Sequence, residues 1–201
     1  MGSGPPTCPR PLTIVNTRQT YKSQCLQIGI AFGNCHNARM LSTQDRERLR
    51  QIAVDALQPD DFEGVAYDDI TRRAAQLCSA PVAVITVISG DVQLFRSRIG
   101  TDITSRSREL TFCTHALQDP ERITIVEDAT QDSRFAGNPV VTSPPNIRFY
   151  AGVPLIYRQQ AVGTLCVFDV KPRTLTAVQI DELCFLAKQV MDTLEARQSP
   201  D

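Results

Sequence analysis

"IRFYAGVPLIY" (147–157) and "AVGTLCVFDV" (161–170), separated by "RQQ" (158–160), are two long apolar runs flanking a short polar break. Runs of this length and composition read as paired strands, and their near-continuous hydrophobicity is what burial on both faces demands. A hairpin at the centre of a sheet is therefore the first element. Upstream, "PVAVITVIS" (81–89) is again β-branched and apolar, "GD" (90–91) is a turn signal, and "VQLFRSRIG" (92–100) alternates, which predicts a second hairpin. On that alternation Phe95, Ser97 and Ile99 share one face, while Arg96 and Arg98 point the other way. A further strand is expected at "RITIVED" (122–128).

Helical spacing brackets these strands. "LSTQDRERLRQIAVDAL" (41–57) repeats Leu49, Ile52, Ala53 and Leu57 at three and four residue steps, with Ser42 or Thr43 as its cap. "QPDDFEG" (58–64) breaks it, and "VAYDDITRRAAQLC" (65–78) starts a second helix with Val65, Ala66, Ile70, Ala74 and Leu77 on one side. "TAVQIDELCFLAKQVMDTLEARQ" (176–198) opens with a Thr-x-x-Gln capping box and places Ile180, Leu183, Ala187, Val190, Met191 and Leu194 on one stripe. The pattern predicts an α+β fold: a central antiparallel sheet of five to six strands sandwiched by helices. Residues 1–41, rich in small and polar residues without a sustained period, read as a disordered or loosely docked arm.

Composition narrows the function classes. With 21 Lys and Arg against 22 Asp and Glu, and no basic run, the chain lacks the positive field that nucleic acid or an anionic membrane selects. Its longest apolar stretches fall well short of the roughly 20 residues of a membrane span. Seven cysteines, an odd number without a CxxC pair, fit a reducing cytoplasm. Cys78, Cys166 and Cys184 lie inside apolar runs, where a free thiol acts as a small hydrophobe.

Three blocks, "ELTFCTHAL" (109–117), "IVEDATQDSRFAGNPVVTSPPNIRFYAGVPL" (125–155) and "GTLCVFD" (163–169), together resemble the GAF domains of bacterial signalling proteins, which stand ahead of histidine kinase or diguanylate cyclase modules. The resemblance covers roughly residues 45–197 and assigns 42–198, flanking helices included, to one GAF domain. It implies a PAS-like sheet with helices packed on it, a small-molecule pocket between sheet and loops, and homodimerisation through the terminal helices. Fold alone does not name the ligand, so the cofactor stays unknown.

Within that frame, "LTFCTHALQ" (110–118) asks what Cys113 and His115 do. Metal binding needs three or four ligands, and the other histidine, His36, lies beside Cys35 in the arm, so no metal is expected. A catalytic thiol is the stronger rival, because a nearby imidazole favours the thiolate. Stand-alone GAF enzymes that reduce free methionine sulfoxide have a cysteine about ten residues before the position that Cys113 resembles and a third in the following loop. Here Ile103 occupies the first place and 129–146 contains no cysteine, so no resolving thiol is apparent. Bilin-carrying GAF domains attach their pigment through a cysteine and histidine ahead of the strand resembling "IRFYAGVPL"; residues 129–147 contain neither. The Asn-Lys signature of cyclic-nucleotide-binding GAF domains is absent too.

The expectation is therefore a non-enzymatic sensory module with a ligand pocket drawn from Phe95, Cys113, His115, Asp128, Phe135, Arg148 and Tyr150. Cys113 reads as a small buried filler, and Arg148 as an ion-pair partner of Glu127, Asp128 or Asp132 that pins the 129–146 loop. Phe135 and Pro139 read as anchors of that loop, which is long enough to act as a lid. Of Phe149 and Tyr150, one is expected to face the pocket and the other a helix.

Overall fold

In the computed structural model, which describes residues 42–58, 62 and 64–198, the elements run in chain order as follows. Helices α1 (Thr43–Asp55) and α2 (Val65–Leu77) precede strands β1 (Val82–Ser89), β2 (Val92–Ile99) and β3 (Ser105–Ser107). A 3-10 turn (Arg108–Leu110), α3 (Cys113–Gln118), β4 (Thr124–Val126) and the short α4 (Pro139–Thr142) follow. Strands β5 (Phe149–Tyr157) and β6 (Gln160–Asp169) and the long helix α5 (Ala177–Gln198) complete the domain. Residues 1–41, read above as an arm and including Cys35 and His36, lie outside the described residues.

The strands form a single antiparallel sheet in the order β3-β2-β1-β6-β5-β4, so the two expected hairpins meet along β1 and β6. The short β3 is an edge strand that its three polar residues, Ser-Arg-Ser, do not announce. Gly163 allows the central contact: a Cβ there would stand 1.8 Å from the Thr86 carbonyl oxygen of β1. Between β5 and β6 the break is two residues, because Gln160 already pairs with Tyr157. Arg158 and Gln159 both take positive φ, 47° and 64°, the pair of left-handed residues that a tight hairpin of this hand requires.

Helices α1, α2 and α5 cover one face of the sheet. Beneath them Tyr67, Ile85, Phe149, Leu155, Leu165, Leu183 and Leu194 belong to one continuous apolar core. Each fully buried Leu there contributes roughly 1.5–3 kcal/mol relative to exposure. The capping box of α5 forms as read: Thr176 N–H donates to Gln179 Oε1 at 2.9 Å, and Gln179 N–H to Thr176 Oγ1 at 3.3 Å. All six stripe residues of α5 are buried within the chain.

Helix α1 departs from its expected stripe. Ser42 caps it as read, accepting from Asp45 N–H, but Leu49 and Ile52 are exposed and Arg50 is buried. The guanidinium tolerates this because its charge and donors are matched. It donates to the Ile88 carbonyl at 2.5 Å and twice to Glu47, at 2.9 and 2.7 Å. Arg108 reaches the same carboxylate from the 3-10 turn. In α2, Val65 is exposed and Tyr67 takes the inward place. Cys78 and Cys166 are buried free thiols as read, whereas Cys184 is disulfide-bonded.

A β-bulge corrects the facing of β2. Thr86 pairs with Phe95 and Ile85 with Ser97, leaving Arg96 as the extra residue. Phe95 therefore faces away from the long helices, while Ser97 faces them and bonds Thr71 and Asp68 of α2 at 2.8 and 2.7 Å. Strict alternation had placed Phe95 and Ser97 together.

Candidate functional site

The face of the sheet opposite the long helices is roofed by α3, α4 and the 129–147 segment. Alternation on the central strands brings Val84 and Thr86 of β1, Thr164 and Cys166 of β6, and Tyr150 of β5 to this side. Phe149 turns to the helices instead, which separates the two aromatic neighbours as expected. Between floor and roof lies a cavity of about 290 Å³. Val84, Phe95, Ile103, Phe112, Val140, Ile147 and Phe168 make most of its wall apolar, while Gln93, Tyr150, Arg106 and Asp169 supply polar atoms. Exposed Gly100, Pro145 and Val170 also line it, so it reaches the surface at that end.

Cys113, the first residue of α3, carries its sulfur down onto the floor. Gln93 Nε2 donates to Sγ at 2.9 Å, Thr164 Oγ1 at 3.1 Å and Tyr150 Oη at 3.3 Å, with Thr86 Oγ1 at 4.0 Å. Cys166 Sγ stands 3.8 Å away. Burial pushes the Cys113 thiol up, but the hydrogen bonds from Cys166, Thr164, Tyr150 and Thr86 favour the anion and bring it to about 6, below its ordinary 9.0. Cys166 moves the opposite way: donating to Cys113 and lying buried, it is held well above its ordinary value. Burial and the neighbouring sulfurs likewise keep the Tyr150 phenol protonated. The arrangement thus has one sulfur that accepts and a ring of groups that donate.

Three of the residues singled out from sequence, Phe95, Cys113 and Tyr150, line the cavity. The other four do not. Phe135 lies one layer out, stacked on Phe112 with ring centroids 4.4 Å apart, and Phe112 in turn stacks on Tyr150 at 5.1 Å. His115 meets Phe135 edge-on at 4.7 Å, and its pKa is lowered by burial and by the charge of Arg134. Asp128 accepts from Thr130 N–H and Oγ1 at 3.0 and 2.7 Å, bonds that lower its pKa and shape the loop start. Arg148 does brace the loop, yet by donating to the carbonyls of Val141 and Ile147 at 2.9 and 3.1 Å. None of the salt bridges among the described residues includes it, so backbone oxygens take its hydrogen bonds while its charge acts on Asp128 without a direct ion pair, helping to lower that pKa.

Gln93, Thr86, Thr164 and Cys166 are the site residues that the sequence reading passed over. Cys166 corrects the expectation that Cys113 has no companion thiol. The available signal was periodicity: Thr164 and Cys166 stand two apart on one strand and so share a face. Gly152 adds a further constraint, since a Cβ there would lie 2.0 Å from Tyr150 Oη. The bare glycine lets the tyrosine ring lie along β5 and aim its hydroxyl at Cys113.

Comparison with known proteins agrees with this architecture. The cyclic di-GMP phosphodiesterase PA2567 of Pseudomonas aeruginosa is 37% identical over 129 residues, covering 63% of this chain and 22% of that protein. The chain thus spans less than a quarter of the length of this curated relative. Among solved structures, the GAF domain of an Acinetobacter phosphoenolpyruvate-protein phosphotransferase superposes with a TM-score of 0.53 at 18% identity, covering 80% of this chain and 99% of that one. The blue-light absorbing PixJ GAF domain of Thermosynechococcus elongatus gives 0.52 at 14% identity, covering 78% and 92%. At such identities the likeness is one of fold. The profile of the GAF domain family matches residues 64–195, well over half of the sequence, and the chain belongs to that family.

Proposed function

We propose that this GAF domain is a non-enzymatic sensory module whose cavity takes a small, largely apolar molecule and reports its presence through the terminal helices. The observation that carries the reading is the cavity itself: about 290 Å³, mostly apolar, with a few convergent polar groups on a rigid floor. Occupancy would bias the roof, built on short elements, against a floor held by the sheet. The output would be an attached signalling module of the histidine kinase, diguanylate cyclase or, as in the Pseudomonas relative, cyclic di-GMP phosphodiesterase kind, within the cytoplasm. No helix among the described residues is long and apolar enough to cross a membrane.

Dimerisation belongs to the same reading. Because the α5 stripe is spent inside the chain, the pairing surface must come from elsewhere, and Leu49 and Ile52 of α1 with Val178 and Phe185 of α5 are exposed apolar residues on the terminal helices. Native mass spectrometry of the purified protein tests both parts. A retained small molecule that disappears in a cavity-filling Val84→Phe variant, and a dimer that Phe185→Glu dissociates, are the expected results. A chain that stays bare and monomeric, and whose melting temperature no metabolite raises, overturns the reading.

The neighbouring thiols favour one rival, a reductase of free methionine sulfoxide. Turnover of that substrate with a dithiol reductant, lost in Cys113→Ser, would replace sensing by catalysis.

A further inference from the structure

We propose that Cys113 and Cys166 form a reactive dithiol, oxidised to an intramolecular disulfide by small organic hydroperoxides that enter the cavity. Both sulfurs line the same cavity, 3.8 Å apart, so their side chains already point at each other. A disulfide needs them at about 2.05 Å, an approach of roughly 2 Å. The roof can supply that movement. Cys113 begins a six-residue helix without a side-chain cap, whereas Cys166 is fixed on a central strand between β1 and β5.

The surroundings divide the roles. Cys113 accepts hydrogen bonds from Gln93, Thr164 and Tyr150, an arrangement that favours a nucleophilic thiolate, while Cys166 remains a protonated thiol beside it. In the first step the Cys113 sulfur attacks the terminal peroxide oxygen. A sulfur–oxygen bond forms, the oxygen–oxygen bond breaks, and the alcohol leaves with the proton that the thiol gave up. In the second step the Cys166 sulfur attacks the sulfenic sulfur, the sulfur–sulfur bond forms, and the hydroxyl departs as water with the Cys166 proton. Two thiols and one hydroperoxide thus give one disulfide, one alcohol and one water. The apolar wall selects the class of oxidant, since an alkyl or aryl hydroperoxide gains from burial there and hydrogen peroxide does not.

Cys78 is an internal control. It is equally buried but lies under the helices, outside the cavity, and burial pushes its thiol up to about 11. The disulfide depends on the two sulfurs and on access to the cavity rather than on a resident metabolite, so its absence would leave the sensory reading standing. It is tested on the full chain as it stands, with Cys113 and Cys166 free and the Cys184 disulfide intact, by adding one equivalent of cumene hydroperoxide or hydrogen peroxide followed by intact and peptide mass spectrometry. Expected are loss of two hydrogens, a linked Cys113–Cys166 peptide pair, and a rate about tenfold higher with cumene hydroperoxide. In Cys166→Ala the reaction should stop at a sulfenic acid on Cys113 that dimedone captures. In Cys113→Ser neither product should form. Absence of the linked pair in the wild-type chain, a Cys113 no more reactive than Cys78, or a faster reaction with hydrogen peroxide would overturn the proposal. Circular dichroism of each variant separates lost chemistry from lost folding.

Discussion

The two faces of this sheet are built from the same strands but put to different use. Toward α1, α2 and α5 the side chains are almost uniformly aliphatic or aromatic and close-packed, and that face supplies most of the burial that holds the domain together. Toward α3 and α4 the packing is thinner, interrupted by a cavity, and seeded with Gln93, Thr86, Thr164, Tyr150 and two thiols. A sheet can carry both because successive residues point to opposite sides, so chemistry on one face costs the other nothing.

The sharpest way to break this contrast is to truncate each face in turn. Leu183→Ala on the helix side should lower stability by about 3 kcal/mol, read as a drop in the urea midpoint. Val140→Ala on the cavity wall should cost only about 1 kcal/mol, since it enlarges a void already present. Equal losses would mean the cavity side bears as much load as the core.

Gly152→Ala addresses the floor. The added methyl must displace the Tyr150 ring, at a cost of about 2 kcal/mol by urea denaturation. The shift should also withdraw the hydroxyl from Cys113. Thr164→Val removes another donor with little change in volume. The Cys113 thiolate absorbance should titrate higher than in the unaltered chain, by about one pH unit or 1.4 kcal/mol. The direction follows from stabilising the anion in the folded chain: a donor lost is a thiolate disfavoured. An unchanged midpoint would show that the hydroxyl contributes nothing to the sulfur's state.

Glu47 bridges the two sides, joining Arg50 of α1 to Arg108 of the turn that leads into the roof. The Arg50 hydrogen bond, opposed by burial and helped by Arg108, lowers its pKa from 4.5 to about 2. A depressed carboxyl stabilises the fold above pH 4.5, and that contribution is lost as pH falls through about 2. Because the side chain is 40% exposed, screening trims the effect, and Glu47→Gln should cost about 1 kcal/mol at pH 7. Thermal melts of the two proteins should converge at the acid end.

The smallest effect belongs to neither face. Gln159→Gly, at a φ of 64° in the β5–β6 turn, should raise stability by about 0.5 kcal/mol and leave Cys113 titration unchanged.

What was legible in the sequence followed from period and chemistry acting locally. The apolar runs of β1, β5 and β6, the Thr176 box and the Ser42 cap depend on near neighbours, and all formed as read. The misreadings share a different cause, tertiary partners that override pattern. Arg50 goes inward because Glu47 and Ile88 receive it, and Phe95 parts from Ser97 because one surplus residue enters β2. At the site, Cys113 and Tyr150 were visible as unusual residues. Cys166 was not, since a cysteine in an apolar strand looks the same whether its neighbour is leucine or another sulfur. Only the pairing of β6 with the strands around it brings Thr164 to Thr86 and Cys166 beneath α3.

Thr86 and Thr164 are partners across the middle rung of the sheet, their hydroxyls 3.0 Å apart. Their position gives an engineer two separate handles on this domain. Size and shape of the cavity can be retuned by grafting new sequence between 129 and 147 while the ladder underneath is untouched. Changing what the pocket is chemically means rewriting core rungs, a far slower course for either a designer or natural drift.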